Sequence, residues 1–147
     1  MKERLLISAC LLGRRCKYDG SHNALPAETI AALRGRYELV PVCPETAGGL
    51  PIPREPSERR DGRVVSRSGT DVSEAYARGA DTAAELARRF ACRKALLKER
   101  SPSCGSGAIY DGSFSHTVIP GDGTAAERLR ALGLRLFGET QADELLE

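Results

Sequence analysis

Chemistry in this 147-residue chain can begin at its five cysteines, Cys10, Cys16, Cys43, Cys92 and Cys104. The number is odd, no C-x-x-C pair exists, and the chain is large enough to fold without disulfide staples. Metal, cluster or catalytic thiols therefore compete with plain buried cysteines. Cys43 opens the stretch "CPETAGGLPIPRE", two residues ahead of Glu45. Alone, a thiol beside a carboxylate reads as a nucleophile with a neighbouring acid or base. Cys104 sits in "SPSCGSG", between the hydroxyls of Ser101 and Ser103 and a glycine that opens the backbone to a close approach.

Each of these residues also has a plainer role. A lone cysteine is commonly a small buried hydrophobe, a glutamate commonly caps a helix or faces solvent, and serines around a proline suit a turn. Cys92 ends an amphipathic helix and reads as core. Cys16, in the polar loop "GRRCKYDGSHN", is read as structural, with fourth ligand and resolving thiol as the alternatives. His22 and His116 fall in surface loops. Arg54, Arg59, Arg60 and Arg63 form a basic, solvated loop, of which Arg54 follows Cys43 closely enough to line a site there. A phosphate-binding C-x5-R loop starting at Cys10 would need arginine at position 16, where Cys16 stands. No Walker loop and no dinucleotide fingerprint is present.

The elements that must position these residues alternate in type. Apolar runs at 4–10, 37–43, 93–99 and 134–138 read as strands, and helical spacing marks 26–36, 69–92 and 123–133. Thr70 or Asp71 caps the longest helix, and Gly79 inside it calls for a bend or a close contact. The Pro- and Gly-rich stretch 44–63 reads as loop. Residues 108–119 read as a hairpin turning at Asp111–Gly112. A short helix ends the chain. The order β-α-β-α-β-(hairpin)-α-β predicts a single α/β domain over 1–147, with a mostly parallel sheet and helices on both faces.

That architecture gathers thiols. Loops at the carboxyl ends of parallel strands share one rim, and sites form there. Cys10, Cys43 and Cys104 each follow a predicted strand, so three residues far apart in sequence meet. Three soft thiolates without an evident fourth ligand suit an iron–sulfur cubane with one iron left open, or zinc. The open iron would be a Lewis acid for a soft atom such as sulfur. Glu45 is then the nearby acid or base, and Ser101 and Ser103 are hydroxyls beside the third thiol.

The totals agree with a soluble globular protein: 41% apolar, 29% charged, 22 basic against 20 acidic residues. That balance does not advertise nucleic acid or an anionic membrane as a partner. The apolar run at the start spans only Leu5 to Leu12, and cleavage after it would remove Cys10 with its strand. A cytoplasmic protein is expected.

Five motifs, "SACLLGRRCKYDG", "PVCPETAGGLPIPRE", "GTDVSEAYARGA", "LLKERSPSCGSGAIYDGSFS" and "GDGTAAERLRALGLRLF", run in this order over most of the chain. Together they resemble the thiouracil desulfidase family, whose longer members carry an additional domain. The resemblance implies a [4Fe–4S] cluster held by Cys10, Cys43 and Cys104, with one iron not bound by protein. It implies non-redox conversion of a thiolated pyrimidine such as 2-thiouracil to uracil and sulfide. Glu45 would move protons, and Ser101 would assist by a hydrogen bond. Ser103 and Arg54 are assigned to the substrate-binding wall. The competing reading is a non-enzymatic iron–sulfur or zinc module for electron carriage or redox sensing. Desulfuration within tRNA is a third, disfavoured by the near-neutral charge.

Overall fold

The computed structural model describes all 147 residues, Met1 to Glu147. In chain order the elements are β1 (Glu3–Ser8), a 3-10 turn (Ala9–Leu12), α1 (Ala27–Arg36), β2 (Tyr37–Val42), α2 (Pro44–Ala47), β3 (Ser57–Arg60) and β4 (Arg63–Ser66). There follow α3 (Ser73–Arg89), β5 (Lys94–Leu97), β6 (Ala108–Tyr110), β7 (Val118–Pro120), α4 (Thr124–Ala131), β8 (Arg135–Gly138) and terminal 3-10 turns (Glu139–Leu146).

The central sheet has the order β2-β1-β5-β8, and every neighbouring pair is parallel. Its inner strand β1 is apolar without alternation over its buried part because both faces are covered: Leu5, Leu6 and Ile7 are all fully buried. Leu6 enters one core with Val40, Val42 and Leu97, against Ala80, Ala83 and Ala87 of α3 and Ala125, Ala126 and Leu129 of α4. The alanines let both helices lie close to the sheet. Leu5 and Ile7 enter the other core with Leu33 of α1, Leu96, Phe137 and Leu145. Helices thus cover both faces, as the alternating pattern requires. No helix is long and apolar enough to cross a membrane.

Some local expectations are corrected. β1 stops at Ser8, so Cys10 lies in the 3-10 turn that follows it. The stretch 44–63 is not all loop. It begins as α2 and ends in the antiparallel β3–β4 hairpin, which turns at Asp61 and Gly62, both with positive φ. The 108–119 hairpin exists, but Tyr110 pairs with Val118, so residues 111–117 form a wide loop rather than a tight Asp-Gly turn. Helix α3 starts at Ser73, and the Asp71 carboxylate accepts from the Ser73 amide at 2.9 Å.

Gly79 answers to a close contact. A Cβ there would lie 1.8 Å from the Pro44 carbonyl oxygen, and one on Gly48 would lie 1.9 Å from that of Ala75. The backbones of α2 and α3 therefore touch. This contact seats the Cys43–Glu45 segment on the longest helix of the fold.

Candidate active site

The strand order reverses between β1 and β5, because the chain leaves β1 for β2 on one side and returns to β5 on the other. Loops diverge at such a point and leave a crevice at the carboxyl ends. Ser8, buried at the end of β1, accepts the Lys98 amide at 2.9 Å and ties the two strands together there. A cavity of about 400 Å³ opens above this junction, lined by Cys10, Cys43 and Cys104 together with Glu45, Ser101 and Ser103.

Each thiol is placed by a different device. Cys10 lies in a 3-10 turn closed by Gly13, and its carbonyl accepts from the Gly13 amide at 3.2 Å and the Asn23 amide at 3.0 Å. Cys43 is the residue before α2, and its carbonyl accepts from the Ala47 amide at 2.9 Å. Cys104 is held by its loop. Ser101 Oγ accepts from the amides of Ser103 (3.1 Å) and Cys104 (3.0 Å). The first amides of α4 grip the same loop, with Thr124 on the Pro102 carbonyl and Ala125 on that of Ser103, both at 2.9 Å.

The thiols share one electrostatic field. Burial pushes Cys104 up to about 12, opposed chiefly by a hydrogen bond from Ser8, with charge on Cys10 adding to the rise. Burial likewise raises Cys10, against a hydrogen bond to Asn23, and charge on Cys43 adds to it. Cys43 moves the other way. The neighbouring Cys16 thiol lowers Cys43 and is itself raised by it, and Cys43 Sγ lies 3.8 Å from the Cys16 carbonyl oxygen. Cys16 is itself buried and lines the cavity, whereas Cys92 is buried in the core beneath α3 and α4.

The donor set discriminates between metals. No three His, Cys, Asp or Glu side chains stand close enough to share a single metal ion. A tetrahedral zinc site needs its ligands to converge on one point. A polynuclear cluster does not, since each thiolate takes its own iron corner. Three soft donors from three loops around one cavity suit an iron–sulfur cluster in this way.

Glu45 is held from both ends. Arg54 donates to its Oε1 through Nε (3.1 Å) and Nη2 (3.0 Å), and Ser103 Oγ donates to Oε2 at 2.9 Å. Arg54 Nη2 also reaches the Cys16 carbonyl at 2.8 Å, and Nη1 reaches that of Pro51 at 3.1 Å. The Tyr76 phenol, buried in α3, faces Glu45 and Ser57; burial and the Glu45 charge raise its pKa. Ser101 Oγ lies 3.0 Å from Ser103 Oγ. Since Ser103 donates to Glu45, the Ser101 hydroxyl is left to donate to Ser103, giving a chain Ser101–Ser103–Glu45.

Residues 5–141 match the model of the 2-thiouracil desulfurase family. The chain belongs to the 2-thiouracil desulfurase family. It is 40% identical to the uncharacterized protein YbbK of Bacillus subtilis (strain 168), an alignment that covers 97% of this chain and 99% of YbbK. Its fold superposes on the [4Fe–4S]-dependent thiouracil desulfidase TudS with a TM-score of 0.92 at 45% identity, covering 98% of this chain and 95% of that one.

Several residues around this cavity escape sequence reasoning. Ser8 was visible as the one hydroxyl in "LLIS", an oddity in a buried strand. Tyr76 had only the spacing of a core residue, and nothing in the local sequence distinguishes it. Asn23 sits in a polar loop and is brought to Cys10 by the path from the 3-10 turn to α1. His22 serves its own turn, with Nδ1 accepting from the Ala24 amide at 3.0 Å. His116 is exposed in its loop, as expected, but stands at the cavity mouth.

Proposed function

We propose that this protein removes sulfur from a thiolated pyrimidine such as 2-thiouracil without net redox change, giving uracil and sulfide. The observation that carries it is the meeting of Cys10, Cys43 and Cys104 with Glu45 in one cavity, in a chain of this family. The three thiolates would hold a [4Fe–4S] cluster. When bound, the cluster supplies an iron without a protein ligand, a thiophilic Lewis acid suited to a thiocarbonyl sulfur.

The reaction replaces C=S by C=O. One water adds at the ring carbon, and sulfur leaves at the oxidation level of hydrogen sulfide, so no electron donor is needed. A base must take a proton from the water, and the departing group needs protons returned. Glu45 fills this role by position: it lies two residues from Cys43 and its carboxylate borders the cavity. Arg54 is assigned to Glu45 rather than to substrate. Four of its five N–H groups are already engaged by protein acceptors, and its side chain is only 7% exposed. Ser103 has the same orientation to Glu45 and is likewise assigned to it. Ser101 bonds Ser103 and lines the cavity, so its hydroxyl can relay a proton between substrate and Glu45 by way of Ser103.

The test is to prepare the protein without oxygen, add 2-thiouracil and follow sulfide and uracil together. Equal release of both is expected. Iron-loaded protein that liberates neither from any thiolated pyrimidine rejects the proposal.

A further inference from the structure

Phe114 lines the cavity without being part of the fold's interior. It belongs to neither hydrophobic core, yet it is held with φ 59°, a conformation that bulky side chains rarely adopt. Such strain persists only where the surroundings fix it, and it clusters at functional positions. The fixing groups come from the other hairpin. Glu58, buried on β3, accepts the Gly112 amide at 3.0 Å and the Phe114 amide at 3.1 Å through one carboxylate oxygen. Arg60 Nε donates to the Gly112 carbonyl at 3.1 Å. Gly112 is needed in this clamp: its φ is 95°, and a Cβ would meet the Arg59 carbonyl oxygen at 2.9 Å. The result is a half-exposed ring on the wall of the cavity that holds the three thiols. The Arg67 guanidinium lies over that ring, 5.7 Å from its centroid.

We propose that Phe114 is the stacking platform for the pyrimidine, with Arg67 bracing one face of the ring and the base resting on the other. This rests on the function proposed above. It adds a binding residue from outside the cysteine, glutamate and serine set, and it makes the β3–β4 hairpin the part of the fold that aims that residue. A flat π-face selects planar heterocycles regardless of their edge groups, whereas recognition of sulfur is left to the thiol side of the cavity.

The test uses anaerobically prepared, iron-loaded protein and measures uracil binding by calorimetry, with iron content recorded for each variant. Phe114→Ala and Phe114→Leu are expected to weaken uracil binding at least about tenfold, the loss of one base–aromatic stack. Phe114→Tyr keeps the π-face and is expected to stay within about threefold of the wild type on the same scale. Iron content is expected to be unchanged throughout. Wild-type affinity in Phe114→Leu overturns the platform, because bulk alone would then suffice. Failure of the wild type to bind uracil, or weakening that tracks iron loss, also overturns it. A wild type that binds uracil but releases no sulfide from 2-thiouracil rejects the proposed function and leaves the platform standing.

Discussion

Glu45 is the residue on which the proposed chemistry turns, and its partners define what its loss should look like. Glu45→Gln keeps shape and a hydrogen bond to Ser103 but cannot take a proton. Turnover is expected to fall roughly 100- to 10,000-fold, the usual worth of a positioned acid–base group, while the iron absorbance stays. Wild-type turnover in this variant would remove Glu45 from the reaction. Arg54→Met should behave differently from the loss of a substrate contact. It frees Glu45 to wander, so kcat is expected to drop by up to about 100-fold from misplacement, with uracil affinity little changed. A variant whose kcat is intact but whose uracil affinity collapses would return Arg54 to the substrate wall.

Among the elements, the α2–α3 contact decides whether Cys43 and Glu45 sit correctly. Gly79→Ala places a methyl 1.8 Å from the Pro44 carbonyl oxygen, and backbone has nowhere to yield. Destabilisation of about 1–3 kcal/mol is expected from overpacking, read as a melting temperature lower by roughly 2–12 °C, with iron retention reduced. An unchanged melting temperature together with full iron loading would mean that the two helices slide apart freely. The same elements show what the sequence could and could not tell. The strands before Cys10, Cys43 and Cys104 were legible because buried parallel strands are dense apolar runs. The β3–β4 hairpin was not, since its inward residues include the charged Glu58, and an alternation rule looks for apolar side chains. Asp111–Gly112 looked like a tight turn because its partners, Glu58 and Arg60, lie more than fifty residues away. The pairing of Arg54 with Glu45 was hidden for a similar reason: it forms only because the loop after α2 folds back over the site.

Across the whole molecule, the sheet order places the cavity at the β1–β5 junction, and the two cores hold that junction shut from below. Leu6 lies at the centre of one core and is fully buried. Leu6→Ala is expected to cost about 2–5 kcal/mol, seen in urea as a lower midpoint with an unchanged slope. A loss under about 1 kcal/mol would show that the sheet collapses around the gap. Alternation of β and α units was enough to forecast this architecture and the shared rim. The reversal of strand order that opens the crevice was not encoded in any one segment.

The most direct measurement compares iron, acid-labile sulfide and turnover in anaerobically prepared wild type and in Cys10→Ala, Cys43→Ala and Cys104→Ala. The wild type is expected to hold iron and sulfide in equal amounts, about four of each per chain, and to convert 2-thiouracil to uracil and sulfide. Each variant is expected to lose the cluster and the turnover together. A variant, or an iron-free wild type, that still converts 2-thiouracil at the full rate would contradict the account.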